Sequence, residues 1–195
     1  MSKADRTKQF IIEKTAPIFN TKGYAGTSLT DMTDATGLTK GSIYGNFENK
    51  DEVACAAFDH NLKGVQAMIR QEMDKRTSVK EKLLVYVDVY GNFLKAPFPQ
   101  GGCPILNTAV EADDTHPVLK EKALHAVNAW KERIVSLLQD GMEKGELGHD
   151  VNPEQVALTI IAMVEGSIMI SRLSGKPNYR KLILESVENY IRGLE

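Results

Sequence analysis

Apolar residues recur at three- and four-residue spacing through nearly the whole of this 195-residue chain, and strand-like alternation is almost absent. That spacing gives each segment one apolar stripe. Stripes of this kind are buried helix against helix, so the pattern dictates an all-α fold. The breaks between stripes are equally plain. Gly23 and Gly37 stand where helices stop, and Ser28 and Thr39 stand where the next ones start. Pro104 suits a first-turn position, as does Pro153 after Asn152, and further helices begin after His116–Pro117 and Pro177. About nine helices follow. They are Ala4–Lys22, Leu29–Thr36, Lys40–Phe47, Lys50–Lys75, Val79–Leu94, one from Pro104, one to Lys144, one to Ser174 and one to the end. Pro17 lies inside the first and removes its bond to the Glu13 carbonyl, which predicts a kink there. Three small helices in residues 1–48 and six longer ones in 49–195 suggest two domains.

The net charge of −2 and the pI near 6.1 argue against a nucleic-acid binder, which is usually basic. The distribution softens that objection. Residues 1–50 hold seven basic and five acidic side chains, a local +2, and the remainder holds 17 basic and 21 acidic, a local −4. Cys55 and Cys103 match neither a disulfide framework nor a zinc site, and fit a reducing compartment. MSKADRTKQF lacks the apolar core of a signal peptide, and the apolar run Val156–Val164 is too short to span a bilayer. The expectation is a cytoplasmic protein with no membrane partner. No G-x-S-x-G, H-E-x-x-H, C-x-x-C or G-x-G-x-x-G is present, so neither enzyme nor cofactor is implied. His60, His116, His125 and His149 have no metal-binding spacing.

The segment LTDMTDATGLTKGSIYGNF, Leu29–Phe47, carries the specific signal. Two short helices joined by a tight glycine turn make a helix-turn-helix. Met32, Ala35, Leu38 and Ile43 hold the pair together. The other face offers Thr39, Lys40, Ser42, Tyr44 and Asn46, hydrogen-bonding groups with one charge. Such a second helix meets base edges while flanking polar groups grip phosphates, and Thr27, Ser28 and Lys50 are placed for the latter.

The wider run GYAGTSLTDMTDATGLTKGSIYGNFENKDEV resembles the DNA-binding region of TetR-type transcriptional repressors. It carries the Gly23–Tyr24 start, the Thr27–Ser28 pair, the turn glycine Gly37, the run Lys40–Tyr44, then Phe47 and Lys50. The resemblance implies a homodimer that binds double-stranded operator DNA and is released by a small-molecule effector. Thr39, Lys40, Gly41 and Ser42 would face bases, Tyr44 would touch phosphate or base, and Lys50 with Thr27–Ser28 would touch phosphates. Asn46 stands where the family often has His, and Gly45 replaces a bulkier residue. Each glycine costs about 0.5–1 kcal/mol of helix stability, which predicts a recognition helix that orders fully only on DNA.

Residues 49–195 are expected to bind the effector and dimerise. Phe58, Tyr86, Tyr90, Phe93 and Trp130 would wall an apolar pocket that Asn61, Asn107, Thr108 and Glu111 orient. Val156, Ile160, Met163, Val164, Ser167 and Ser171 on one helix, with Leu182, Val187, Tyr190 and Ile191 on the next, would build a four-helix dimer interface. Cys103, in GGCPILN at a helix start, offers an alternative, since a thiol there can be activated and the GGCP segment is similar to an electrophile-responsive branch of these repressors. Another alternative is a dimeric small-molecule-binding module without DNA binding. Cys55 is expected to pack.

Overall fold

The computed structural model describes residues 2–92 and 97–195. Among them the regular structure is entirely helical: α1 (Lys3–Gly26), α2 (Leu29–Thr36), α3 (Lys40–Tyr44), α4 (Lys50–Met73), α5 (Val79–Gly91), α6 (Pro104–Ala112), α7 (Pro117–Glu143), α8 (Pro153–Ser174) and α9 (Pro177–Arg192).

The start signals are met by side chains. Ser2, Ser28 and Ser78 each form a capping box with an acidic residue three positions on, Asp5, Asp31 and Glu81. Asn152 caps α8 ahead of Pro153. The break in α1 falls at Gly23 (φ 74°, ψ 178°) and not at Pro17, where helical geometry continues. A proline removes a single amide bond, which a long helix absorbs. A positive φ turns the chain outright and suits glycine. The helix α3 ends at Tyr44, three residues short of expectation. Gly45 follows as its cap, and the Phe47 amide bonds the Ile43 carbonyl at 3.1 Å in a closing turn. The expected end of α5 at Leu94 lies outside the described residues.

The helices pack as two compact units, Met1–Val65 with Ala96–Leu124, and Gln66–Lys95 with His125–Glu195. In the first, α1 packs on α2 and α6, and α2 on α3, around Ile11, Ala16, Met32, Ile43, Val53 and Ala57, none of which reaches solvent. In the second, α9 packs on α8 and α5 around Leu83, Ile134, Leu138, Ile160, Ile168, Val187 and Ile191.

Packing thus divides the chain elsewhere than at residue 48, because α6 returns to α1. The Asn20 amide donates to the carbonyls of Gln100 (2.7 Å) and Gly102 (2.9 Å), and the Asn107 amide donates to those of Asn20 and Gly101, both at 2.9 Å. Gly101 (φ 96°) permits this closeness, since a Cβ there would stand 2.9 Å from the Asn20 carbonyl carbon.

By length and composition α8 is apolar enough to cross a membrane, with mean hydropathy 1.7 over its best window. The run Val156–Val164 understated it. Its apolar surface has two faces, one packed on α9 and α5 and one turned outward.

Candidate functional site

The helix-turn-helix is held from behind by Met32, Ile43 and Phe47, all buried. In front, Thr39, Lys40 and Gly41 form a contiguous exposed run. Ser42, Tyr44 and Asn46 are half-buried, and the Asn46 amide is committed to the Ser42 carbonyl at 2.9 Å. Thr39 Oγ1 accepts the Ser42 amide at 3.2 Å and so fixes the start of α3. Ser28 is exposed and capped reciprocally with Asp31, but Thr27 is fully buried and its hydroxyl donates to the Gly23 carbonyl at 2.6 Å. Thr27 therefore shapes the turn and offers no hydroxyl to a phosphate. Lys22 Nζ meets Asp31 at 2.5 Å, and it and the Ser28 groups hold that carboxyl well below the usual range.

Tyr24 organises the flank. The Lys50 ammonium sits over its ring, 4.4 Å from the centroid, and its hydroxyl donates to the Asp51 carboxylate. That bond first, and burial second, push the phenol up to about 12. The His116 ring meets Tyr24 edge-on at 4.5 Å. Lys50, the first residue of α4, thus has its position set by an aromatic ring.

Behind Tyr24 lies a small cleft, partly open to solvent, with room for about one water-sized group. Phe58, Asn61, Asn107, Thr108 and Glu111 line it, as expected residues of the pocket, together with Phe19, Asn20, Tyr24, Ala54, Pro104 and Leu119. Glu111 also does something no sequence spacing announces. Its carboxylate accepts the backbone amides of Tyr24 (2.6 Å) and Ala25 (2.8 Å), the two that follow the break at Gly23. A Cβ at Gly23 would stand 2.7 Å from its carboxyl carbon.

Residues 11–57 match the family model described as bacterial regulatory proteins, tetR family, and residues 79–187 match that described as tetracyclin repressor-like, C-terminal domain. The chain belongs to the TetR family. Like other TetR-family members it is a helix-turn-helix transcriptional regulator. It is 49% identical to a TetR-family regulator from Cytophaga hutchinsonii of known crystal structure, with TM-score 0.96 over 100% of this chain and 98% of that one. A TetR regulator from Chloroflexus aurantiacus is 35% identical, with TM-score 0.94 and the same coverage. The HTH-type transcriptional repressor DhaR of Mycobacterium sp. (strain GP1) is 25% identical over 162 residues, 83% of this chain and 80% of its own.

The remaining positions singled out in this TetR-family chain fall elsewhere than expected. Tyr86, Tyr90 and Trp130 lie in the second packing unit and form their own cluster. Tyr90 stacks on Trp130 at 5.3 Å and 4°, and Tyr86 meets it at 5.6 Å. The buried Tyr86 hydroxyl and Trp130 Nε1 make no hydrogen bond within 3.5 Å among the described residues. Burial pushes the Tyr86 phenol up, opposed in part by the Arg133 guanidinium and the nearby indole. Phe93 lies outside the described residues. Cys103 is fully buried and does not line the cleft, so the thiol-sensor alternative gains no support. Cys55 is half-buried, and burial pushes its thiol up, away from reactivity.

The expected dimer stripe is mostly protomer core. Val156, Ile160, Val164, Ser167, Ser171, Val187 and Ile191 are buried within the single chain. Met163 and Tyr190 are half-buried, and of the ten only Leu182 is exposed. A side chain enclosed by its own protomer has no surface left for another. The outward stripe of α8 is instead Leu158, Ala162, Met169 and Leu173, with Gly166 between them half-buried and open beyond its Cα. Its spacing of three and four residues is that of one helix face.

Proposed function

We propose that this regulator is a homodimeric repressor that binds a palindromic operator in double-stranded DNA through α3 and is released by a small-molecule effector held in the α1–α4–α6 cleft. The observation that carries the reading is the exposed run Thr39–Lys40–Gly41 at the start of α3, together with the Lys50 ammonium seated on Tyr24 at the start of α4. Thr39, Lys40 and Gly41 approach base edges. Ser42 and Tyr44 assist from half-buried positions, and Ser28 and Lys50 meet phosphates. Residues 1–48 read the DNA, and 49–195 bind the effector and dimerise. Phe58, Asn61, Asn107, Thr108 and Glu111 contact the effector. Tyr86, Tyr90 and Trp130 support the second unit as packed core.

Two copies meet through the outward stripe of α8, which has small residues at Ala162 and Gly166, and through the exposed Leu182 of α9. A dimer places two α3 helices one DNA turn apart, about 34–36 Å, and a small change in that spacing stops both from docking at once. A protein that works on operator DNA acts in the cytoplasm. Fluorescence anisotropy with a labelled palindrome from DNA upstream of the gene tests the reading. Binding that falls steeply with salt is expected, and no binding to any such palindrome overturns it.

A further inference from the structure

The polar atoms left over in the α1–α4–α6 cleft are mostly acceptors, the Thr108 hydroxyl, which can also donate, being the exception. The Asn61 amide nitrogen donates to the Ala16 carbonyl at 2.9 Å, and that of Asn107 donates to the carbonyls of Asn20 and Gly101. Backbone carbonyls only accept, so each side-chain amide is fixed with its nitrogen toward them. The described residues supply no donor to either side-chain oxygen. The Glu111 carboxylate takes two neutral amides, which occupy about half of its lone-pair sites. It has no cationic partner among the described residues. Phe58 and Leu119 supply apolar wall beside these acceptors. The space between is large enough for about one water-sized group.

We propose that the cleft seats the head group of an organic ammonium, whose short apolar body leaves through the solvent-open side. The NH₃⁺ group bonds Glu111 and the two asparagine oxygens, with Phe58 and Leu119 as the apolar wall beside it, and the body follows the open side of the cleft. An anionic ligand would be repelled, and a neutral hydroxyl would forgo the charge. This rests on the cleft being the effector site, and it adds how occupancy is transmitted. A full positive charge competes with neutral amides for the same carboxylate and wins in a partly buried site. Glu111 is then drawn off the Tyr24 and Ala25 amides. The turn after Gly23, which carries Tyr24 and with it the seat of Lys50, loses its brace. Operator affinity falls.

The test is isothermal titration calorimetry of the full chain with n-butylammonium, n-butanol and butyrate, in an amine-free buffer at matched ionic strength. Anisotropy on the operator runs in parallel. The ammonium should bind roughly tenfold more tightly than the alcohol, the scale of one hydrogen bond to a charged group, and butyrate should not bind. Glu111→Gln should erase the advantage of the ammonium, and the ammonium should weaken operator binding by wild type only. If Glu111→Gln is unfolded by circular dichroism, the ammonium–alcohol comparison on wild type decides alone. Equal binding of the two, no binding of the ammonium, or full binding by Glu111→Gln overturns the proposal. If the ligand-free protein binds operator while the ammonium fails, only this inference falls. If it binds no operator, the proposed function falls with it.

Discussion

Glu111 on α6 accepts the backbone amide of Tyr24 at 2.6 Å across 87 residues of sequence. With the Ala25 bond beside it, a single carboxylate satisfies the two amides exposed by the break at Gly23. Hydrogen bonds to a charged group contribute about 1.5–3 kcal/mol each where buried and less where water competes. Glu111→Ala should therefore cost about 1–3 kcal/mol in denaturant unfolding. Gly23→Ala should cost more than 1 kcal/mol, because it forces a methyl toward the carboxylate at positive φ. In a double-mutant cycle the two costs should fall short of their sum, since removing the carboxylate removes the clash. Strict additivity would show that Glu111 does not brace this turn.

Lys50→Ala should weaken operator binding at every sequence tested and reduce the salt slope by about 1 per subunit, the signature of one lost phosphate contact. Lys40→Ala should also relax base preference at one position of each half-site. Anisotropy titrations between low and moderate salt separate the two patterns. An unchanged slope for Lys50→Ala would place that ammonium off the DNA.

The two faces of α8 predict opposite phenotypes. Met169 is 51% exposed and Ile160 is fully buried. Met169→Glu should leave the protomer folded and shift sedimentation from dimer to monomer. Ile160→Ala should cost about 2–5 kcal/mol of stability through the cavity it leaves. Persistence of the dimer in Met169→Glu would remove the outward stripe from the interface.

Tyr24 should be one of the last of the six tyrosines to ionise. Its hydrogen bond to Asp51 favours the neutral phenol, so the folded-state value lies above the ordinary one near 10 and close to about 12. The stabilisation is fully present below pH 10 and is lost as pH rises through about 12. Absorbance titration of wild type against Tyr24→Phe should show the missing phenol near the higher value. Asp51→Asn should bring it down. A difference centred near pH 10 would refute the bond.

The buried Tyr86 hydroxyl makes no hydrogen bond among the described residues. Removing an unsatisfied buried polar group relieves a desolvation cost, so Tyr86→Phe should be neutral or stabilising by up to about 1 kcal/mol. A loss above 1 kcal/mol in the denaturation midpoint would mean that the hydroxyl has a partner, such as a bound water.

The signals legible in the sequence are those that act within a few residues. Ser28 and Asp31 form their capping box, Gly37 ends α2, and Thr39 starts α3, because a cap needs only its own turn. The same locality carried the family pattern from Gly23 to Lys50. Pro17 misled because the effect of a residue on its own helix depends on what the rest of the helix can absorb.

What the sequence by itself determined is therefore the all-helical class and the helix-turn-helix, with Thr39 and Lys40 outward from it. Only the tertiary structure decided how the remaining residues are used. The apolar residues of α8 read as one resource, yet α9 and α5 claim Val156, Ile160 and Val164 and leave Leu158, Met169 and Leu173 outside. The aromatics expected in one pocket divide between two units, and Glu111 finds its amides across 87 residues. Periodicity shows that a helix has an apolar face, but which neighbour covers that face is set by the chain's return path, and no local spacing encodes that path.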